Sequence, residues 1–222
     1  MKRIAARVKN NMIPTPQMSP YGTFEGALFQ YHPPLVAFES PLSSNSNIKK
    51  KLILLGGLSD GLIPTPYTSQ LTETCASLGW SVVQPITSSS YLGFGNGNLR
   101  RDTEEIGHLM NYLKCHRGGE MFAIVGHSTG CQNAVHFLKY GDDDMIKLTK
   151  FIALQAPVSD REGPNLKPEY NKNIECARNL ESEGKGDEMM PRSAFWAPIT
   201  ASRFLSLQDI GGSDDFFSSD LT

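Results

Sequence analysis

The chain has 222 residues, which is enough for one domain with a substantial core. Charged residues make up 20% of the sequence and the formal net charge is -2, so the overall balance predicts neither a nucleic-acid partner nor attachment to a membrane surface. No apolar run approaches the length of a membrane-spanning helix. The basic N-terminus lacks the apolar core of a secretion signal, and we interpret it as a loose arm.

The cysteines and histidines indicate a reduced protein without a metal centre. The four cysteines are scattered and form no C-x-x-C pair, and Cys75, Cys115 and Cys131 fall on predicted helices as packing residues. We therefore expect a cytoplasmic location. The five histidines show no metal-ligand spacing, so we expect neither a metal nor a cofactor.

The predicted elements begin with two short strands and continue as an alternation of strands and helices. Residues 26–31 and 35–38 have the pattern of an antiparallel pair. Further apolar runs alternate with helical patterns at 51–55, 80–84, 121–125 and 151–154. This order predicts an α/β fold with a mostly parallel, doubly wound sheet, in which ligands bind at the carboxyl ends of the strands.

A glycine-rich loop at 88–98 precedes the second predicted helix. Its spacing is neither G-x-G-x-x-G nor a P-loop, so we interpret it as a pocket wall, with Tyr91 and Phe94 offering aromatic contact to a substrate. The helix that follows carries Asp102, Glu104 and Glu105 in its early turns. We expect these carboxylates to form a solvated face rather than a catalytic pair.

The sequence from Met121 to Leu138 contains the most informative motif. A buried strand, a turn of small residues and a helical pattern surround Gly126-His127-Ser128-Thr129-Gly130, a G-x-S-x-G sequence in the context of a nucleophile elbow. The glycines would remove collisions in a sharp, strained turn, so that Ser128 stands above the strand end as a nucleophile. The alternative is an ordinary turn whose serine caps the helix.

Two backbone amides are predicted to form an oxyanion hole. The amide of Thr129 follows the nucleophile directly. The loop Gly56-Gly57-Leu58-Ser59-Asp60-Gly61 lies after an earlier strand, and we expect the Leu58 amide to be the second donor. Taken alone, this loop would be an ordinary glycine-rich turn; together with the elbow, it favours the oxyanion hole.

The composition changes after residue 162. Proline, glycine and charged residues dominate, with a possible helix at 171–182 and an apolar patch at 195–197. We predict a hydrolase core at 1–162 and an incomplete cap or lid at 163–222.

Several blocks of the sequence resemble the fusarinine C esterase-like subfamily of the α/β-hydrolase superfamily. They are residues 56–61, 89–91, 126–132, 155–162 and 211–221. The resemblance covers most of the chain and implies a cap insertion over the sheet and a carboxylic-ester hydrolase that acts on a small-molecule ester through an acyl-enzyme. It also implies about a hundred further residues in two more strands, which carry the triad acid and histidine, whereas here no histidine follows His136.

Three interpretations remain open at this stage. The chain is a C-terminally truncated serine esterase with doubtful activity of its own, a catalytically inactive protein that binds a ligand or partner in the same cleft, or a protein in which Ser128 has a non-hydrolytic role. We favour the first. Asp160, after the last predicted strand, could replace the triad acid, but we expect it to order a turn with Arg161. Loss of two strands would also leave an exposed apolar sheet edge.

Overall fold

The computed structural model describes residues 23–41, 48–163 and 168–221, so the basic N-terminal arm lies outside the described residues. Within these ranges, six strands form one sheet: β1 (Ala27–His32), β2 (Leu35–Ser40), β3 (Lys50–Leu55), β4 (Trp80–Pro85), β5 (Met121–His127) and β6 (Thr149–Gln155). Their spatial order is β1-β2-β4-β3-β5-β6. The pairs β1–β2 and β2–β4 are antiparallel and the other three are parallel, as the alternation of elements predicts.

The helices occupy the predicted connections. They are α1 (Thr68–Ser77), α2 (Leu99–His116), α3 (Gly130–Tyr140), α4 (Asp143–Leu148), α5 (Tyr170–Ser182) and α6 (Ala201–Gln208), with a 3-10 turn at Tyr91–Asn96. In the part of the chain that the structure describes, no helix combines the length and apolarity needed to cross a membrane.

The central strands are apolar on both faces because each face is covered. Alternate residues of a strand point to opposite sides of the sheet. Ile53 of β3 packs in one cluster with Leu109 of α2 and Phe137 of α3, whereas Leu52 belongs to a second cluster with Cys75 of α1. Coverage of both faces explains the continuous apolar runs. The parallel pairing of β3 with β5 places their carboxyl ends side by side at one edge of the sheet.

Residues 168–221 contribute a third apolar cluster. It is built from α5, α6 and the segment between them, with Ile174, Ile199 and Phe204 buried, and Leu58 from the loop after β3 packs against it. The division into a core at 1–162 and a cap at 163–222 stays a prediction.

Strand β6 forms one edge of the sheet and is largely exposed. Phe151 is 48% and Leu154 39% solvent-exposed, and β5 is the only strand paired with β6 among the described residues. The predicted apolar edge is therefore present.

Candidate active site

The turn after β5 has the strained geometry that the motif predicts. Ser128 has a φ of 53°, in the left-handed region that residues with a side chain rarely adopt. A Cβ on Gly126 would collide with the carbonyl oxygen of Gly130, and a Cβ on Gly130 would lie 2.5 Å from the Leu55 carbonyl oxygen of β3. The Ser128 amide donates to the Gln155 carbonyl at 3.0 Å, which ties the turn to β6. Both glycines are thus required by close backbone approach.

The alternative role of Ser128 as a helix cap is wrong. Helix α3 begins at Gly130, its N-cap residue is Thr129, and no side-chain hydrogen bond caps it. Within the described residues, the Ser128 hydroxyl has no hydrogen-bond partner. The Ser128 side chain instead lies next to the loop after β3. A Cβ placed on Gly57 of that loop would be 3.4 Å from Ser128 Oγ.

The loop after β3 is closed by a residue that the sequence analysis did not single out. Asp60 Oδ2 accepts a hydrogen bond from the Gly57 amide at 2.8 Å, and the Asp60 amide donates to the Gly57 carbonyl at 3.1 Å. The amides of Leu58 and Thr129 donate to no acceptor among the described residues. Glycine and aspartate both favour turns, and their occurrence together at 56–61 is the sequence signal that could have indicated this role.

A small cavity of about 50 Å³ lies beside the elbow and brings together three of the predicted site residues, Leu58, Thr129 and Phe94. Tyr91 does not line it. The Tyr91 side chain is 55% exposed and lies over Gly61, where any Cβ would collide with the tyrosine ring. The structure therefore places Phe94 next to the elbow and Tyr91 farther out.

The acidic first turns of α2 are not a solvated face, so that prediction is wrong for two of the three carboxylates. Asp102 is 3% and Glu105 7% exposed. Asp102 accepts hydrogen bonds from Ser89 Oγ at 2.6 Å and from Asn133 of α3 at 2.9 Å, and Glu105 accepts from the Ser88 amide at 2.8 Å. Burial raises the pKa of Asp102 although these bonds oppose the shift. The loop at 88–90 folds back over α2 and covers both groups.

Arg203 links the 168–221 segment to the 3-10 turn at Tyr91–Asn96. Its guanidinium is buried, donates from Nε to the Phe94 carbonyl at 3.0 Å and from Nη1 to Asp214 at 2.6 Å, and contributes to the wall of the small cavity. The Thr200 amide, just before α6, also donates to the Gly95 carbonyl at 2.8 Å. Sequence reasoning missed Arg203, because an arginine on an amphipathic helix usually faces water.

A second, larger cavity of about 720 Å³ lies under α5 and α6, and Leu58 lines both cavities. Its other lining residues are Ser159, Asp160, Glu169, Tyr170, Asn173, Ser193, Ala194, Phe195, Trp196, Phe204 and Gln208. The proximity of this cavity to the loop after β3 makes it a candidate substrate chamber.

Asp160 lines this larger cavity. The prediction that it orders a turn with Arg161 is wrong, because the two side chains do not pair with each other. Arg161 donates instead to Asp215 at 2.9 Å and to Asp220. Asp160 Oδ2 accepts one hydrogen bond, from the Gln132 amide group of α3 at 3.3 Å. Burial, reinforced by the negative charge of Asp214, raises the pKa of Asp160 to about 6.

Two histidines near the elbow are engaged elsewhere. His127 Nδ1 bonds to the Gln155 side chain, and His136 Nδ1 lies 2.6 Å from Thr103 Oγ1. Neither is hydrogen-bonded to Ser128. No group of three metal-ligating side chains occurs in the described ranges.

Comparison with known proteins identifies the family. Residues 14–222 match a family described as "Protein of unknown function (DUF1749)". The chain belongs to the DUF1749 family. This DUF1749 protein is 39% identical over 218 residues to a UPF0613 protein of Schizosaccharomyces pombe, covering 89% of this chain and 67% of that protein. It is 30% identical over 251 residues to fusarinine C esterase sidJ of Aspergillus fumigatus, covering 91% of this chain and 71% of that protein.

Solved structures confirm the fold of the DUF1749 chain. It superimposes on siderophore hydrolase EstB from Aspergillus fumigatus with a TM-score of 0.75 and 29% identity, covering 92% of this chain and 71% of the other. An α/β-hydrolase fold protein of unknown function gives a TM-score of 0.60 at 21% identity, with coverage of 86% and 62%. The predicted α/β-hydrolase fold and the resemblance to the fusarinine C esterase-like subfamily are both confirmed.

Proposed function

We propose that this DUF1749 protein is a serine hydrolase that cleaves a carboxylic ester through an acyl-enzyme on Ser128. The observation that carries the proposal is the strained elbow, with Ser128 Oγ next to Gly57 of the loop after β3. The amides of Leu58 in that loop and of Thr129 in the elbow donate to no acceptor among the described residues. Relatives named as a fusarinine C esterase and a siderophore hydrolase support ester chemistry and suggest a siderophore-type ester.

The proposed reaction uses the elbow in two steps. Ser128 Oγ attacks the ester carbonyl carbon while its proton passes to a base, and the amides of Leu58 and Thr129 hold the developing oxyanion. The C–O bond to the alcohol then breaks, and the alcohol leaves with that proton. Water attacks the acyl-enzyme in the same way, releasing the acid and restoring the serine.

The base is the part of this mechanism that the described residues do not provide at Ser128. No histidine is hydrogen-bonded to its hydroxyl, and the chain spans about 70% of the length of sidJ and EstB. We infer that the base and acid belong to a segment that these longer relatives carry. Loss of a triad member lowers kcat by roughly four powers of ten or more, so we expect little turnover from the 222 residues alone.

We also propose that residues 163–222 act as a cap that shapes the substrate chamber. The separate apolar cluster of α5 and α6 and the attachment through Arg203 support this division. Phe94 would form the wall next to the elbow, and Tyr91 would contact the outer part of a substrate.

A second candidate is a catalytically inactive ligand-binding protein. The absence of a hydrogen bond from any described residue to the Ser128 hydroxyl favours it. The same elbow and cavity would then bind an ester without cleaving it.

A fluorophosphonate probe tests the proposal and separates the candidates. We expect labelling of a chain continued to the length of its relatives, loss of labelling in Ser128→Ala, and full labelling in the control Ser69→Ala on α1. Labelling only in the continued chain would support a base outside these 222 residues. Failure to label either form would favour the inactive binding protein, and labelling that survives Ser128→Ala would contradict the assignment of the nucleophile.

A further inference from the structure

The larger cavity is lined by a carboxylate, that of Asp160, which has no ion-pair partner among the described residues. Three acidic side chains lie near one another in this region, Asp160, Asp214 and Asp215. Arg203 pairs with Asp214 at 2.6 Å and Arg161 pairs with Asp215 at 2.9 Å. Among the described residues, no lysine or arginine lies within ion-pair distance of Asp160. Arg203 attracts it only from a longer distance and is already paired with Asp214, so Asp160 is the one carboxylate of the three without a direct ion pair in the part of the chain that the structure describes.

The surroundings of this carboxylate suit an organic cation. A second carboxylate, Glu169, also lines the cavity, and no lysine or arginine does so among the described residues. Four aromatic side chains, those of Tyr170, Phe195, Trp196 and Phe204, also line the cavity, and the ring faces of such residues attract cations. A partly buried acid in such a chamber gains most from a ligand that brings a positive charge and N–H donors.

We propose that the larger cavity binds an ammonium group on the ester substrate, with Asp160 as its counter-ion. This rests on the proposed function, since Leu58, whose amide is the proposed second oxyanion donor, lines both the larger cavity and the small cavity beside the elbow. The substrate class is an ester whose acyl or alcohol part ends in a primary amine. Neutral esters of the same shape are poorer ligands, because they leave the carboxylate buried without a cation.

The test measures binding and not turnover, so it does not depend on an active base. N-methyl-6-aminohexanamide and N-methylheptanamide have the same shape, and differ by an ammonium group in place of a methyl group. We expect calorimetry at about pH 8 to show about tenfold tighter binding of the amine, the gain typical of a hydrogen bond to a charged group. Asp160→Asn should abolish the difference, whereas the equally charge-removing control Asp143→Asn on α4 should keep it.

The pH dependence provides a second measurement that needs no variant. Asp160 is faced by Gln132 of α3, by Gln208 and Arg203 of α6, and by Asp214 and Asp215. Because the pKa of Asp160 is raised to about 6, the carboxylate is charged above that pH and neutral below it. The preference for the amine should therefore be present at about pH 8 and fall away as the pH drops through 6, while Asp160→Asn shows no such change.

The outcomes distinguish this inference from the function on which it rests. Equal affinity for the two amides, no binding of either, or a preference that survives in folded Asp160→Asn would overturn the ammonium site, even if Ser128 labels with the fluorophosphonate. An amine preference that depends on Asp160 without any labelling of Ser128 would support the cation site and reject the hydrolase.

Discussion

Replacement of Gly130 by alanine tests the packing that holds the elbow. The new methyl group would lie 2.5 Å from the carbonyl oxygens of Leu55 and Gly56, about 1 Å closer than ordinary van der Waals contact. Both oxygens belong to the backbone at the end of β3, so they cannot rotate away as a flexible side chain would. The start of α3 must therefore move off the sheet or distort.

The expected cost follows from overpacking in a closely packed site. Insertions of a methyl group that force backbone shifts cost about 1–3 kcal/mol, and we place Gly130→Ala at the upper end because two backbone atoms are involved. Urea denaturation followed by circular dichroism measures this loss. Since the shift also displaces Ser128, fluorophosphonate labelling of a reactive form should fall as well.

Gly107→Ala is a matched control within the same protein. Gly107 lies inside α2, and a Cβ there would meet no atom within 4 Å. Alanine in a helix interior is about 0.8–1 kcal/mol more favourable than glycine, so this variant should be more stable than the parent. If Gly130→Ala unfolded at the same urea concentration as the parent while Gly107→Ala shifted as expected, the argument from close approach at the elbow would fail.

Three further predictions concern the sheet. Lys51 donates to buried Glu39 at 2.5 Å, and Lys51→Met should cost about 3 kcal/mol in urea denaturation because it removes one partner of a buried ion pair. Burial opposes ionisation of Glu39, but the hydrogen bonds from Lys51 and Arg117 outweigh burial and lower the pKa of this carboxyl group. The ionised Glu39 therefore stabilises the fold above about pH 4.3, and this stabilisation is lost as the pH falls below that value. Melting temperatures that stay constant through this pH range would refute the prediction. The exposed apolar side chains of β6 should make the chain self-associate. The double variant Phe151→Lys, Leu154→Lys should lower the fraction of oligomer measured by sedimentation velocity. A monomeric parent with a sharp melting transition would contradict that prediction.

The elements that sequence reasoning predicted are those with a local signature. The run from Met121 to Val125 is apolar because both faces of β5 are covered, and this appears in the sequence as a continuous hydrophobic stretch. The glycines of the elbow are required by contacts with β3, but their spacing around Ser128 is fixed by the turn itself. Such features can be predicted because residues close in sequence determine them.

The features that sequence reasoning missed depend on partners far along the chain. Asp102 is buried because Ser89 and Asn133 donate to it, and these residues are 13 and 31 positions away. Arg203 reaches the Phe94 carbonyl across 109 positions. A helical pattern assigns charged residues to the solvent by default, since it contains no information on which distant groups will satisfy them.

The contacts that strain Ser128 are separate from the groups that would activate it. The φ of 53° is maintained by the hydrogen bond to Gln155 and by the close approach of Gly130 to β3, both of which lie within the described residues. Such backbone strain costs about 1–3 kcal/mol and persists only where the surrounding structure imposes it. The reactivity of Ser128 can therefore be lost without a loss of stability. A variant that removes the base would abolish the reactivity of Ser128 but leave the elbow folded, whereas Gly130→Ala would lower both the stability of the protein and the reactivity of Ser128.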